Sequence, residues 1–65
     1  MIETRIKEAR KEAGMTQEEL SKASGITRTM IQFLESGKKT DVKLSTMLAI
    51  SNALGRPYNE IFLQK

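Results

Sequence analysis

Between Thr27 and Phe33 the chain carries several side chains that suit hydrogen bonding to the edges of nucleobases. Arg28 can donate two bonds to guanine, and Gln32 can give to and accept from adenine. Either pairing is worth roughly 1–3 kcal/mol of discrimination against the wrong base. Thr27 and Thr29 suit a phosphate oxygen, or a thymine methyl through their own methyl groups. Other chemistry is poorly provided for. The chain contains no cysteine and no histidine, so a disulfide framework, a thiolate metal site and an imidazole base are all ruled out. Catalysis would need paired carboxylates or an activated serine or lysine. The acidic residues are instead spread along solvent-facing helix positions. We expect no enzyme, no metal and no cofactor.

Residues Thr16 to Ser36 must position these groups, and they read as two short helices joined by a tight turn. Thr16 with Glu19 three residues later forms a capping box: the hydroxyl takes the Glu19 N–H, and the carboxylate reaches back to the Thr16 N–H. Met15 and Leu20 occupy the hydrophobic staple positions at the same start. Leu20 and Ala23 make one side of this helix apolar. Gly25 stops it, because glycine adopts the left-handed C′ conformation without a side-chain penalty. Only Ile26 separates that stop from the next cap, Thr27. Ile26 and Ile31 repeat the staple spacing. Ile31 and Leu34 form the buried stripe of the second helix, leaving Arg28, Thr29, Gln32 and Ser36 on its other side. Two helices held apart by a glycine turn, the second presenting polar groups, describe a helix-turn-helix.

The sequence resembles the Cro/phage-repressor type of helix-turn-helix domain, found in phage repressors and many XRE-like bacterial regulators. The matching blocks are Ile6-Lys7-Glu8-Ala9-Arg10, Gly14-Met15-Thr16-Gln17-Glu18-Glu19-Leu20, Ser24-Gly25-Ile26-Thr27, Ile31-Gln32-Phe33-Leu34-Glu35-Ser36-Gly37-Lys38 and Ala53-Leu54-Gly55. They run through nearly the whole chain, in the family's order and at close to its spacing. The resemblance implies an all-α fold, a compact lambda-repressor-like bundle of five short helices. A recognition helix over about 28–36 would lie in the major groove. Thr27, Arg28, Thr29, Gln32 and Phe33 are then the candidate base contacts. Phe33 departs from the family, where a polar or basic residue is common; it either meets a thymine methyl or sugar, or packs under the 37–43 loop. The resemblance also implies a partly buried Arg10–Glu35 ion pair that aims the guanidinium at a phosphate, the alternative being an ordinary surface arginine. It places Gln17 beside the DNA backbone. Lys38, Lys39 and Thr40 are further candidates for backbone contacts. Their loop is one residue longer than the family's commonest version and lacks its usual proline. Ser21 and Ser24 stand where the family has a small residue and an apolar one, so Ser24 is expected to weaken the core slightly.

The remaining segments supply support. Ile2, Ile6, Ala9 and Ala13 recur at helical spacing, predicting a first helix that Gly14 ends. Leu44, Met47, Leu48, Ile50, Ala53 and Leu54 give a broad apolar face over about 43–54, which Gly55 and Pro57 terminate. Asp41 is a candidate cap for that helix. Pro57 can open a last short helix from which Tyr58, Ile61 and Phe62 pack back on the domain. Arg56 and Leu63 are candidates for a homodimer contact through the C-terminal region.

Sixty-five residues allow a single domain, 1–65, with a small core. The net charge of +3 is unevenly distributed. Residues 1–35 are balanced, whereas residues 36–65 set Lys38, Lys39, Lys43, Arg56 and Lys65 against Asp41 and Glu60. A basic loop directly after an exposed polar helix suits a phosphate backbone. No apolar run approaches membrane-spanning length and no signal peptide is apparent, so a cytoplasmic protein is expected. The leading functional expectation is sequence-specific binding of double-stranded DNA as a bacterial or phage transcriptional regulator, on a two-fold-symmetric operator. The alternatives are a DNA-binding antitoxin, which would add a toxin partner, and a protein-interaction module on the same fold.

Overall fold

The structure, a computed structural model, describes residues 2–37 and 42–64, and of Ile2 and Gln64 the backbone alone. Strand β1 (Ile2–Thr4) is followed by helices α1 (Ile6–Glu12), α2 (Gln17–Ser24), α3 (Arg28–Ser36), α4 (Leu44–Leu54) and α5 (Tyr58–Ile61), and by strand β2 (Phe62–Gln64). Among the described residues the expected five short helices are present, and they make up most of the structure.

The two strands are an addition to the all-α expectation. They pair antiparallel, Ile2 opposite Gln64, Glu3 opposite Leu63 and Thr4 opposite Phe62. The Arg5 N–H extends the pairing to the Ile61 carbonyl at 2.7 Å. The helical stripe therefore begins at Ile6, not Ile2. Ile2 and Thr4 are β-branched and suit a pleated strand better than a first helical turn. Their partner lies at the far end of the chain, and its hydrogen bonds outweigh the single apolar repeat from Ile2 to Ile6. At the other end of the stripe, Ala13 is exposed and sits at the C-cap of α1.

The turn between α2 and α3 is fixed by local chemistry. The capping box is complete: Glu19 N–H reaches Thr16 Oγ1 at 3.1 Å and Thr16 N–H reaches Glu19 Oε1 at 2.8 Å. Gly25 takes φ +75°, a conformation costly for any residue with a Cβ. Two serines then hold Ile26. Ser21 Oγ donates to the Ile26 carbonyl at 2.6 Å, and Ile26 N–H donates to Ser24 Oγ at 3.2 Å. Ser24 Oγ in turn donates to the Leu20 carbonyl at 2.7 Å. Ser24 is thus a polar clip for the turn, where a weak spot in the core was expected. Thr27 caps α3 by accepting from Met30 N–H at 3.2 Å.

One core gathers Ile6, Ala9, Leu20, Ile31, Leu34, Ile50, Leu54, Ile61 and Phe62. Each large aliphatic side chain fully withdrawn from water contributes about 1.5–3 kcal/mol. Met15, Ile26, Met30, Val42, Met47 and Ala53 pack against its margin. The broad apolar face expected for α4 is only partly buried. Leu44 and Leu48 are 56% and 41% exposed, as is Tyr58 at 45%. Successive helix residues are about 100° apart, so Met47, Ile50, Ser51 and Leu54 share the core-facing arc while Leu48 falls on its flank; Leu44 lies on the same side as Ser51 but at the first position of the helix, where it stays exposed. Ser51 is 1% exposed, and its Oγ has no hydrogen-bond partner among the described residues. A buried hydroxyl without a partner costs stability, and alanine is the better helix former. Replacing Ser51 with alanine should raise the stability measured in urea by about 0.5–1 kcal/mol. A loss of similar size would mean that the hydroxyl is satisfied.

Candidate nucleic-acid interface

Helix α3 has two unlike sides. Ile31 and Leu34 are 0% and 1% exposed and face the core. Met30 and Glu35 are half-buried at its edges, while Thr27, Arg28, Thr29, Gln32, Phe33 and Ser36 are exposed. All five candidate base contacts thus share the solvent-facing side. Phe33 is 46% exposed and lies next to Gln32 in the chain. Gly37 ends the helix at φ +79°, and its N–H points back to the Leu34 carbonyl at 3.4 Å. The same carbonyl accepts from Thr4 Oγ1 at 3.0 Å. Strand β1 therefore satisfies an end-of-helix acceptor of α3, a link that sequence spacing did not reveal.

The other support for α3 is ionic. Arg10 Nε donates to Glu35 Oε2 at 2.9 Å, Nη2 reaches Glu35 Oε1 at 3.4 Å, and Nη1 donates to the Met15 carbonyl at 2.9 Å. One guanidinium joins α1, the turn before α2 and α3. The two side chains are only 12% and 7% exposed. Removing one partner of such a pair leaves the other charge without compensation.

Gln17, at the first position of α2, joins the same cluster. Its Nε2 donates to Glu35 Oε1 at 3.1 Å, and its Oε1 accepts from Gln32 Nε2 at 3.4 Å. The second bond is invisible to spacing, because two glutamines fifteen residues apart have no mutual spacing rule. A shallow depression beside them is lined by Arg10, Thr16, Gln17, Glu18 and Arg28. It sets two arginines beside the start of a helix, where backbone N–H groups and the helix dipole favour an anion. Lys38, Lys39, Thr40 and Asp41 lie outside the described residues. Arg56 pairs with Glu12 at 3.2 Å and Glu60 at 3.9 Å on the surface, and Leu63 is half-buried. Among the described residues no helix is long and apolar enough to cross a membrane.

The sequence pattern of the helix-turn-helix family matches residues 6–61. The chain belongs to that family, in its Cro/C1-type branch. An uncharacterized HTH-type transcriptional regulator from Methanothermobacter thermautotrophicus is 46% identical over 61 residues, covering 91% of this chain and 84% of that protein. A second protein of that description, from Archaeoglobus fulgidus, is 49% identical over 49 residues, covering 74% of this chain and 69% of the relative. Among solved structures, the restriction-modification controller protein C.AhdI from Aeromonas hydrophila is similar with a TM-score of 0.79 at 32% identity. That likeness covers 86% of this chain and 83% of the controller protein.

The buried ion pair yields a stability test. Glu35→Ala should destabilise the domain by about 2–4 kcal/mol in urea melts, because Arg10 is left largely buried without its counter-charge. Arg56→Ala, at exposed ion pairs, should change stability by no more than about 0.5 kcal/mol. Equal effects at the two sites would remove the Arg10–Glu35 pair from the support of α3.

Proposed function

We propose that the chain binds double-stranded DNA sequence-specifically as a transcriptional regulator, with α3 entering the major groove. The observation that carries this reading is the division of α3. Ile31 and Leu34 anchor it, while Thr27, Arg28, Thr29, Gln32 and Phe33 are left outward on a single rod. The major groove admits a helix and presents a distinct pattern of donors, acceptors and methyl groups for each base pair. Arg28 is the reader of guanine and Gln32 that of adenine. The open ring of Phe33 suits a thymine methyl or a sugar better than interior packing.

Backbone contacts fall to the groups around the start of α2. Gln17 and Arg10 line the depression there, and the Arg10 guanidinium keeps a second N–H on each of Nη1 and Nη2 beyond the three hydrogen bonds already made. Lys38, Lys39 and Thr40 extend the same edge by their place in the sequence. Contacts of this kind set register and orientation and carry no sequence information.

A domain of this size covers a small stretch of duplex, so useful affinity calls for a homodimer on a two-fold-symmetric operator, with half-sites about one helical turn apart. The exposed Leu44, Leu48 and Tyr58 in the C-terminal third offer apolar surface for that pairing. They are better placed for it than Leu63, which is half-buried, or Arg56, which is held in ion pairs. Such a regulator would act in the cytoplasm.

Selection from a random duplex library tests the reading. The wild-type chain should enrich one motif with two-fold symmetry. Arg28→Ala should lose the preference at one base pair of each half-site, by roughly 1–3 kcal/mol, while the other positions keep theirs. Enrichment of no sequence at low salt would refute the proposal, and an unaltered motif for Arg28→Ala would refute the recognition assignment.

A further inference from the structure

We propose that the charge of Glu35 sets the direction of a hydrogen-bond relay through Gln17 to Gln32, and that Gln17 is thereby a positioning residue which commits Gln32 to reading adenine and rejecting guanine. The inference rests on α3 being the helix that reads DNA.

The relay begins at a group with a single possible role. An ionised carboxylate accepts hydrogen bonds and donates none. Glu35 is held by two Arg10 nitrogens, at 2.9 and 3.4 Å. Anything else that approaches its Oε1 must bring a hydrogen. Gln17 does so through Nε2 at 3.1 Å. That choice leaves no freedom at the other end of the Gln17 amide: its oxygen, an acceptor, is what it offers to α3. Gln32 meets it with Nε2 at 3.4 Å. Turning either amide over would set oxygen against oxygen, or nitrogen against nitrogen. The direction is therefore dictated by charge and does not depend on the bare geometry of two exchangeable amides.

The consequence falls on the outer end of Gln32. Its nitrogen is drawn back toward α2, so Oε1, with the second Nε2 hydrogen beside it, remains for a base edge. Adenine presents a donor at N6 and an acceptor at N7, which that pair of groups matches. Guanine presents two acceptors, O6 and N7. A glutamine free to rotate can turn its NH2 toward O6; one held by the relay sets its oxygen against it. Gln17 also lines the depression at the start of α2, where it is a proposed backbone contact. It would then couple the position of the phosphate backbone to the orientation of a base-reading amide one helix away.

The test is a ratio, in which uniform losses of affinity cancel. From the motif selected for the wild-type chain, the base pair read by Gln32 is identified as the one whose preference disappears in Gln32→Ala. Competition binding then compares duplexes carrying adenine or guanine at that position. The wild-type chain should favour adenine by roughly tenfold, within the usual range for one bidentate contact. In Gln17→Met, of similar length but unable to accept from Gln32, the ratio should fall to roughly threefold or less. Any lost backbone contact lowers affinity for both duplexes alike. Glu35→Gln, which keeps the shape and removes the charge, should lower the ratio in the same way, with thermal melts confirming that each variant is folded. Preference for guanine in the wild type, no position lost in Gln32→Ala, or a wild-type ratio retained in Gln17→Met or in folded Glu35→Gln would each overturn the relay. Failure of the wild-type chain to enrich any sequence is a different outcome, which overturns the DNA-binding reading itself.

Discussion

Ile31 and Leu34, three residues apart on α3, are both withdrawn from water against a core supplied by the other helices and β2. Their burial is the constraint on which the arrangement depends. A nine-residue helix has little stability of its own in water. It is ordered because one side is driven inward by apolar burial, and the rotation that buries Ile31 and Leu34 turns Arg28, Thr29 and Gln32 outward. The readout face is a by-product of the core. The position of α3 along its axis is set at its ends: Thr27 and the serine clip at Ile26 on one side, Gly37 and Thr4 on the other.

Burial of two aliphatic residues does not by itself fix how α3 sits against α1. The Arg10–Glu35 pair adds that directional element. A buried ion pair is a weak source of net stability, since desolvation offsets most of the attraction. Its value here lies in geometry. Two nitrogens of one planar guanidinium engage both carboxylate oxygens and a third takes the Met15 carbonyl. Few rotations of α3 about the apolar contact would keep all three bonds. The cluster thus lies between the packing that holds the helix and the amides that reach its outer face.

Much of this organisation is written locally in the chain. The capping box at Thr16, the glycine at 25, the cap at Thr27 and the stripe of Ile31 and Leu34 each act within a few residues, so spacing alone reveals them. Arg10 and Glu35 became visible only through the resemblance, since nothing in their separation brings them together. Features that depend on tertiary placement were not legible. The β1–β2 pairing joins opposite ends of the chain, and its three-residue strands carry no pattern strong enough to compete with the helical repeat of Ile2 and Ile6. On α4, hydrophobicity marks six apolar positions, but a small core accepts only the arc of Met47, Ile50, Ser51 and Leu54, leaving Leu44 and Leu48 outside and drawing in a serine. The bond between Gln17 and Gln32 depends on the crossing of α2 and α3. Ser24 looked like a defect because an apolar residue is usual there; its hydroxyl instead closes the turn.

The central claim is that one side of α3 is a contact surface because the other side is committed to the core. Amide and side-chain NMR of the isotope-labelled chain, titrated with its selected duplex, tests this most directly. The largest shift changes should fall on Thr27, Arg28, Thr29, Gln32, Phe33 and Gln17, while the buried side chains of Ile31 and Leu34 and the amides of Glu8 and Glu12 on α1 change little. Changes centred on Glu8 and Glu12, with the outward side of α3 silent, would contradict the claim.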